Sequence, residues 1–119
     1  MSSDWMNSDR VSADTPLMPG DRVLALWQGG EFWFPGKLAR SNGEQLSIRY
    51  DDGMEDTRPT NEVKAFDWQV GSQIDAVWTG NGGWYAAKIV EMNDDGTMLT
   101  VLYEDGIQEG RASAFCRSR

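Results

Sequence analysis

Two short stretches of this 119-residue chain place an aromatic ring and a carboxylate two positions apart at the end of an apolar stripe. In the first, Leu46, Ile48, Tyr50 and Asp52 alternate with Ser47, Arg49 and Asp51, and Gly53 follows. In the second, Leu99, Val101, Tyr103 and Asp105 run into Gly106 in the same way. Side chains alternate along a strand, so each set shares one face. An aromatic face attracts a cation through its quadrupole, and a neighbouring acid adds charge. The chemistry on offer is capture of an organic cation, once per stretch.

No constellation for bond making or breaking accompanies these residues. The chain has no histidine and one cysteine, Cys116, which excludes a histidine-based triad, an internal disulfide and the usual Cys/His zinc site. Asp51 and Asp52 are adjacent, so on a strand they point to opposite faces and cannot flank one scissile bond. The Gly-rich loops have neither a following helix nor a P-loop lysine. The expectation is a non-enzymatic protein that needs no cofactor.

The elements that position the two stretches come from a duplication. At an offset of 51 residues Gly20 matches Gly71, Ala25 matches Ala76, Trp27 matches Trp78, Trp33 matches Trp84 and Lys37 matches Lys88. Beyond a two-residue insertion near Asp94 the offset is 53, and Gly43, Tyr50, Asp52, Gly53 and Arg58 match Gly96, Tyr103, Asp105, Gly106 and Arg111. Within each unit the pattern has period two, with turn residues every eight to twelve positions, which reads as short antiparallel strands. Strand one covers 22–27, strand two 32–40 and strand four 54–58, with 84–91 and 107–111 as counterparts of the last two. A helical turn near 60–63 leads to a last strand at 64–66. Asn42-Gly43 and Asp94-Asp95-Gly96 supply turn chemistry.

Five short, bent strands in about fifty residues predict an all-β fold of two tandem SH3-like five-stranded barrels. The expected organisation is a disordered leader over 1–18, in which Trp5 and Met6 stand out, a first barrel over 19–66 and a second over 70–119. The second unit has little chain left for its last strand, which must be very short or come from the first unit. Trp68, in the joining segment, is placed at an interface between the barrels.

Charge narrows the partners. The formal net charge is −8, and acids exceed bases in the leader and in both units. Such a surface opposes nucleic acid, which needs clustered Lys and Arg, and suits a basic peptide. No basic segment followed by an apolar run opens the chain and no apolar stretch is long enough for a membrane span, so a soluble, intracellular protein with no membrane partner is expected.

The ordered set Gly-Asp-Arg-Val-Leu-Ala-Leu-Trp (20–27), Phe-Trp-Phe-Pro-Gly-Lys-Leu (32–38) and Tyr-Asp-Asp-Gly (50–53) resembles a Tudor domain. Ala-Val-Trp (76–78), Trp-Tyr-Ala-Ala-Lys-Ile (84–89) and Tyr-Glu-Asp-Gly (103–106) resemble another. The likeness covers nearly all of 20–116 and is to tandem Tudor modules that read methylated lysine on histone tails and other proteins. Carried over position by position, it implies one aromatic cage from Trp27, Phe34, Tyr50 and Asp52 and a second from Trp78, Tyr85, Tyr103 and Asp105. Some members have a further aromatic directly after the glycine; this chain has Met54 and Ile107 there, which leaves one wall softer.

The resemblance implies a binding module for methylated lysine, or methylarginine, in a basic peptide such as a histone tail. It would act within a larger complex, in the nucleus if it reads chromatin and in the cytoplasm otherwise. The competing reading is an adaptor that binds an unmodified protein surface with the same aromatics as ordinary contacts. Structural uses compete residue by residue. Trp27 and Trp78 share a face with Val23 and Ile74 and could cap the core, Phe34 and Tyr85 are in phase with Leu38 and Ile89, and Asp beside Gly is ordinary turn chemistry. Acids flanking Tyr50 and Tyr103 argue against those rings as buried fillers.

Overall fold

The computed structural model describes residues 17–119, and they form two five-stranded antiparallel sheets joined by short turns. Most of the leader expected over 1–18, with Trp5 and Met6, lies outside the described residues. Its end differs from expectation, because Leu17 packs against the first core.

In the first unit β1 (Arg22–Leu26), β2 (Trp33–Ser41), β3 (Gln45–Tyr50), β4 (Glu55–Pro59) and β5 (Val63–Ala65) assemble in the order β4-β3-β2-β1-β5. In the second, β6 (Gln73–Val77), β7 (Trp84–Met92), β8 (Met98–Tyr103), β9 (Gln108–Ala112) and β10 (Cys116–Arg117) give β10-β6-β7-β8-β9. The duplication extends to irregularities. Register shifts fall between Leu38 and Arg40 in β2 and between Ile89 and Glu91 in β7, positions equivalent at the offset of 51. Such bulges sharpen the local bend that curls a five-stranded sheet.

Each predicted strand is present within a residue or two of its expected ends. The chief difference is at Trp27, which starts a 3-10 turn (Trp27–Gly29) instead of ending β1. Gln28 adopts a left-handed conformation there (φ 51°), and the Asp56 carboxylate accepts its N–H at 2.9 Å. Among the described residues no helix is long and apolar enough to cross a membrane.

The alternation of β1 explains how the units join. Val23 and Ala25 enter the first core, with Leu38, Leu46, Ile48, Tyr50 and Val63. Leu24 points the other way and is fully buried in the second core, beside Trp68, Ile74, Ala76 and Val101. Strand β1 is therefore apolar on both faces.

Trp68 is buried at this junction, and its indole N–H donates to Ser118 Oγ at 3.1 Å. The last strand of the second unit is very short, as expected, and belongs to that unit: Cys116 pairs with Ala76 and Arg117 with Asp75. One residue on, Ser118 exchanges both backbone hydrogen bonds with Trp33 of the first unit, at 2.7 and 3.0 Å. The Cys116 thiol is buried, and desolvation pushes its pKa up to about 12, which keeps it a neutral thiol at neutral pH.

Polar contacts reinforce the junction. Arg22 reaches from β1 into a bidentate pair with Asp51 at 2.5 and 2.9 Å, and the Ser113 hydroxyl of the second unit donates to the same carboxylate. Arg22 also donates to the Asp95 and Gly96 carbonyls and lies over the Phe66 ring. In each unit a cation of the last strand covers the tryptophan that opens strand two: Lys64 over Trp33 and Arg117 over Trp84. The side-by-side arrangement measures 53 × 32 × 24 Å.

Candidate functional site

Both predicted sets converge. Trp27, Phe34, Tyr50 and Asp52 line one pocket of about 220 Å³, and Trp78, Tyr85, Tyr103 and Asp105 line another of about 260 Å³. The pairings Gly36 with Tyr50 and Ala87 with Tyr103 place each tyrosine beside strand two, close to Phe34 or Tyr85. The turns after β1 and β6 then bring Trp27 and Trp78 across.

In the first pocket Trp27 and Tyr50 meet edge to face at 5.2 Å, while Phe34 meets Trp84 of the second unit at 6.2 Å. In the second pocket Trp78 and Tyr85 form the perpendicular corner, at 5.9 Å. Gly80 permits this corner, because a Cβ there would lie 2.5 Å from the Trp78 ring. Gly36 is a second close approach: a Cβ would lie 2.6 Å from the Arg49 carbonyl oxygen, and the equivalent residue in the second unit is Ala87.

The tyrosines differ from expectation in burial. Tyr50 and Tyr103 are only 4% and 6% exposed, so they are core residues that form pocket floors, whereas Tyr85 is a wall exposed by 43%. The flanking acids did not prevent burial because alternation directs Asp51 to Arg22 and Ser113, and because Asp52 and Asp105 lie in the turns. There each Oδ1 accepts a backbone N–H, from Met54 at 2.9 Å and Ile107 at 3.1 Å. The second oxygen of each carboxylate has no hydrogen-bond partner among the described residues. Met54 and Ile107 are exposed and line neither pocket.

Sequence reasoning missed the partners of the tyrosine hydroxyls. Tyr50 donates to Asp56 at 3.5 Å and Tyr103 to Glu109 at 2.7 Å, equivalent positions at the offset of 53. Asp56 also holds Gln28, and Glu109 holds the N–H and hydroxyl of Thr79 at 3.3 and 2.7 Å. One acid per unit thus ties the pocket floor to the loop carrying the tryptophan. The signal available was its own recurrence, six residues after each tyrosine. Also missed was Ala114, which the second unit contributes to the first pocket.

Burial and then the nearby acid raise the pKa of both phenols, whereas Glu109 falls: desolvation would raise it, but hydrogen bonds from Tyr103 and Thr79 outweigh that. A tyrosine ionises at about pH 10 in an unfolded chain. With the folded pKa raised, the unfolded state loses its proton first, so the stabilisation is complete below pH 10 and is lost as pH climbs beyond it. The expected result is alkaline unfolding above about pH 10, with Tyr50 and Tyr103 ionising only as the fold is lost. Parallel phenolate absorbance and circular dichroism titrations check it; ionisation of both rings in the folded protein would contradict it.

No protein-family model matches the chain, and no curated protein matches it in sequence. Among solved structures it is similar to the tandem tudor domains of Crb2, with a TM-score of 0.60 and 17% identity over 84% of this chain and 78% of that one. It is also similar to tandem Agenet domain 3-4 of ADCP1 (TM-score 0.40, 16% identity, 92% and 85% covered). A further match is Arabidopsis thaliana AGDP1 AGD34 (0.41, 16%, 92% and 87%). The Crb2 likeness concerns the fold: this chain is a tandem pair of Tudor-like, SH3-like barrels.

Proposed function

We propose that the chain is a non-catalytic reader whose aromatic pockets take a methylated lysine, with methylarginine second, from a basic peptide such as a histone tail. The observation that supports this most is the twofold convergence of three aromatic residues and a carboxylate around a pocket of side-chain size. Methylation leaves the ammonium charged but removes N–H donors. The methylated cation therefore loses less on leaving water, while each ring face still attracts it by roughly 0.5–2 kcal/mol. An unmodified ammonium would carry unsatisfied donors into the pocket. The carboxylate supplies charge and accepts the one proton a dimethylated group retains.

The net charge of −8 steers a basic peptide to the surface. Leu24 of the first barrel sits in the core of the second and Ser118 bridges to Trp33, so the two pockets are held in one body and can engage one partner with a gain in avidity. Exposed aromatics around them favour one alternative: Trp84, Tyr85 and Phe115 would also serve an adaptor that binds an unmodified surface.

Titration of labelled protein with trimethyl-lysine amide, with lysine amide as control, separates the two. The expected result is saturable shifts of the Trp27 or Trp78 indole signals with the methylated amide alone, lost on Trp27→Ala or Trp78→Ala. Equal responses to both amides would assign the pockets to the adaptor.

A further inference from the structure

Each barrel carries a second groove, on the outer face of strands two to four, and the two copies have diverged. In the first unit it measures about 500 Å³, and Lys37, Arg40, Arg49, Ser47 and Thr57 line it together with the acids Glu55 and Asp56. The equivalent groove of the second unit measures about 650 Å³ and is lined by Val70, Val90, Met92, Met98, Thr100 and Glu91. At equivalent positions Arg40 is matched by Glu91, Arg49 by Leu102 and Thr57 by Gly110, whereas Lys37 and Ser47 are matched by Lys88 and Thr100. Three cations line the first groove and none lines the second.

The cations of the first groove are only partly paired. Lys37 and Arg49 are directly opposite each other across β2 and β3, an arrangement that repels unless an anion sits between them. Among the described residues neither Lys37 nor Arg40 has an ion-pair partner. Arg49 pairs with Glu55 at 2.8 Å, but both side chains are about two-thirds exposed, so that pair is weak and the guanidinium can be shared. The Asp56 carboxylate is offset by its own ion pair with Arg58 at 3.4 Å and accepts from Gln28 and Tyr50. Beside the cations, the Ser47 and Thr57 hydroxyls are 3.5 Å apart and can both donate to one oxyanion.

We infer that this groove binds a phosphorylated segment of a partner protein, with Lys37, Arg40 and Arg49 neutralising one phosphate and Ser47 and Thr57 donating to it. A divalent phosphate suits a groove lined by three cations better than a lone carboxylate does. A long nucleic acid is disfavoured by the remaining charge of the chain, which is −8 in total. The aromatic pockets play no part in this inference, so it stands or falls separately from the reader proposal.

The test is an amide titration of the full chain at low salt with three probes: a Gly/Ser-rich peptide carrying one phosphoserine, the same peptide unphosphorylated, and a mixed-sequence DNA single strand of about ten nucleotides. Saturable shifts at Lys37, Arg40, Ser47, Arg49 and Thr57 with the phosphopeptide alone, and none around Thr100 and Gly110, are expected. Lys37→Gln with Arg40→Gln, both at exposed positions, should weaken binding at least about tenfold while the remaining spectrum is unchanged. Equal response to both peptides, or shifts spread over both barrels, would overturn the proposal. Tighter binding of the oligonucleotide at the same residues would overturn it in favour of nucleic acid.

Discussion

Replacing Leu24 with alanine is expected to destabilise both barrels together, by about 2–5 kcal/mol, the range for truncating a buried leucine. The residue belongs to β1 of the first barrel but is fully buried in the core of the second. Barrels of about fifty residues bury little surface each, so a shared side chain is a large fraction of what either has. Urea denaturation followed separately by the Tyr50 and Tyr103 amide signals checks the claim. One shifted midpoint for both signals is expected. A loss confined to the first barrel, or two separated transitions in the wild-type chain, would show that the barrels fold independently.

The second large effect is expected at Asp51. Asp51→Ala should cost about 3 kcal/mol, because it leaves the Arg22 guanidinium desolvated without its carboxylate and the Ser113 hydroxyl without an acceptor. Both members of the pair are only 13–15% exposed, so water compensates little. The effect should reach the first pocket, since Ser113 anchors the turn that carries Ala114 into its wall. The Trp27 indole signal should therefore shift while that of Trp78 stays in place. A double-mutant cycle with Arg22→Ala isolates the pair energy. Additive losses, with an unmoved Trp27 signal, would mean that the pair neither couples the barrels nor shapes the pocket.

The strand pattern was legible because alternation and turn residues are local, and the duplication let each unit confirm the other. Convergence of Trp27, Phe34, Tyr50 and Asp52 was legible for the same reason: strand phase fixes faces, and adjacent strands bring faces together. The pockets' support was not. Asp51 and Asp52 look equivalent in sequence, yet one closes an ion pair across the barrels and the other holds a turn. The fate of Leu24 was hidden because period-two reading assigns one face of a strand to solvent, and a second barrel covers that face here. Burial of Tyr50 and Tyr103 was misjudged because the acids that accept their hydroxyls lie six residues on, across a tight turn.

The Trp33–Ser118 bridge has a kinetic consequence. Hairpins β1–β2, β2–β3 and β3–β4 pair near neighbours and can form first, whereas β1–β5 and β6–β10 close over some forty residues. The bridge spans 85 residues and needs both sheets in place. Closing long loops costs entropy before contacts offset it, and non-local topologies fold slowly for that reason. Refolding should then end in a slow step, reported by the indole of Trp68, in which both sheets close on the junction around Leu24 and Trp68 as the last segment pairs with Trp33.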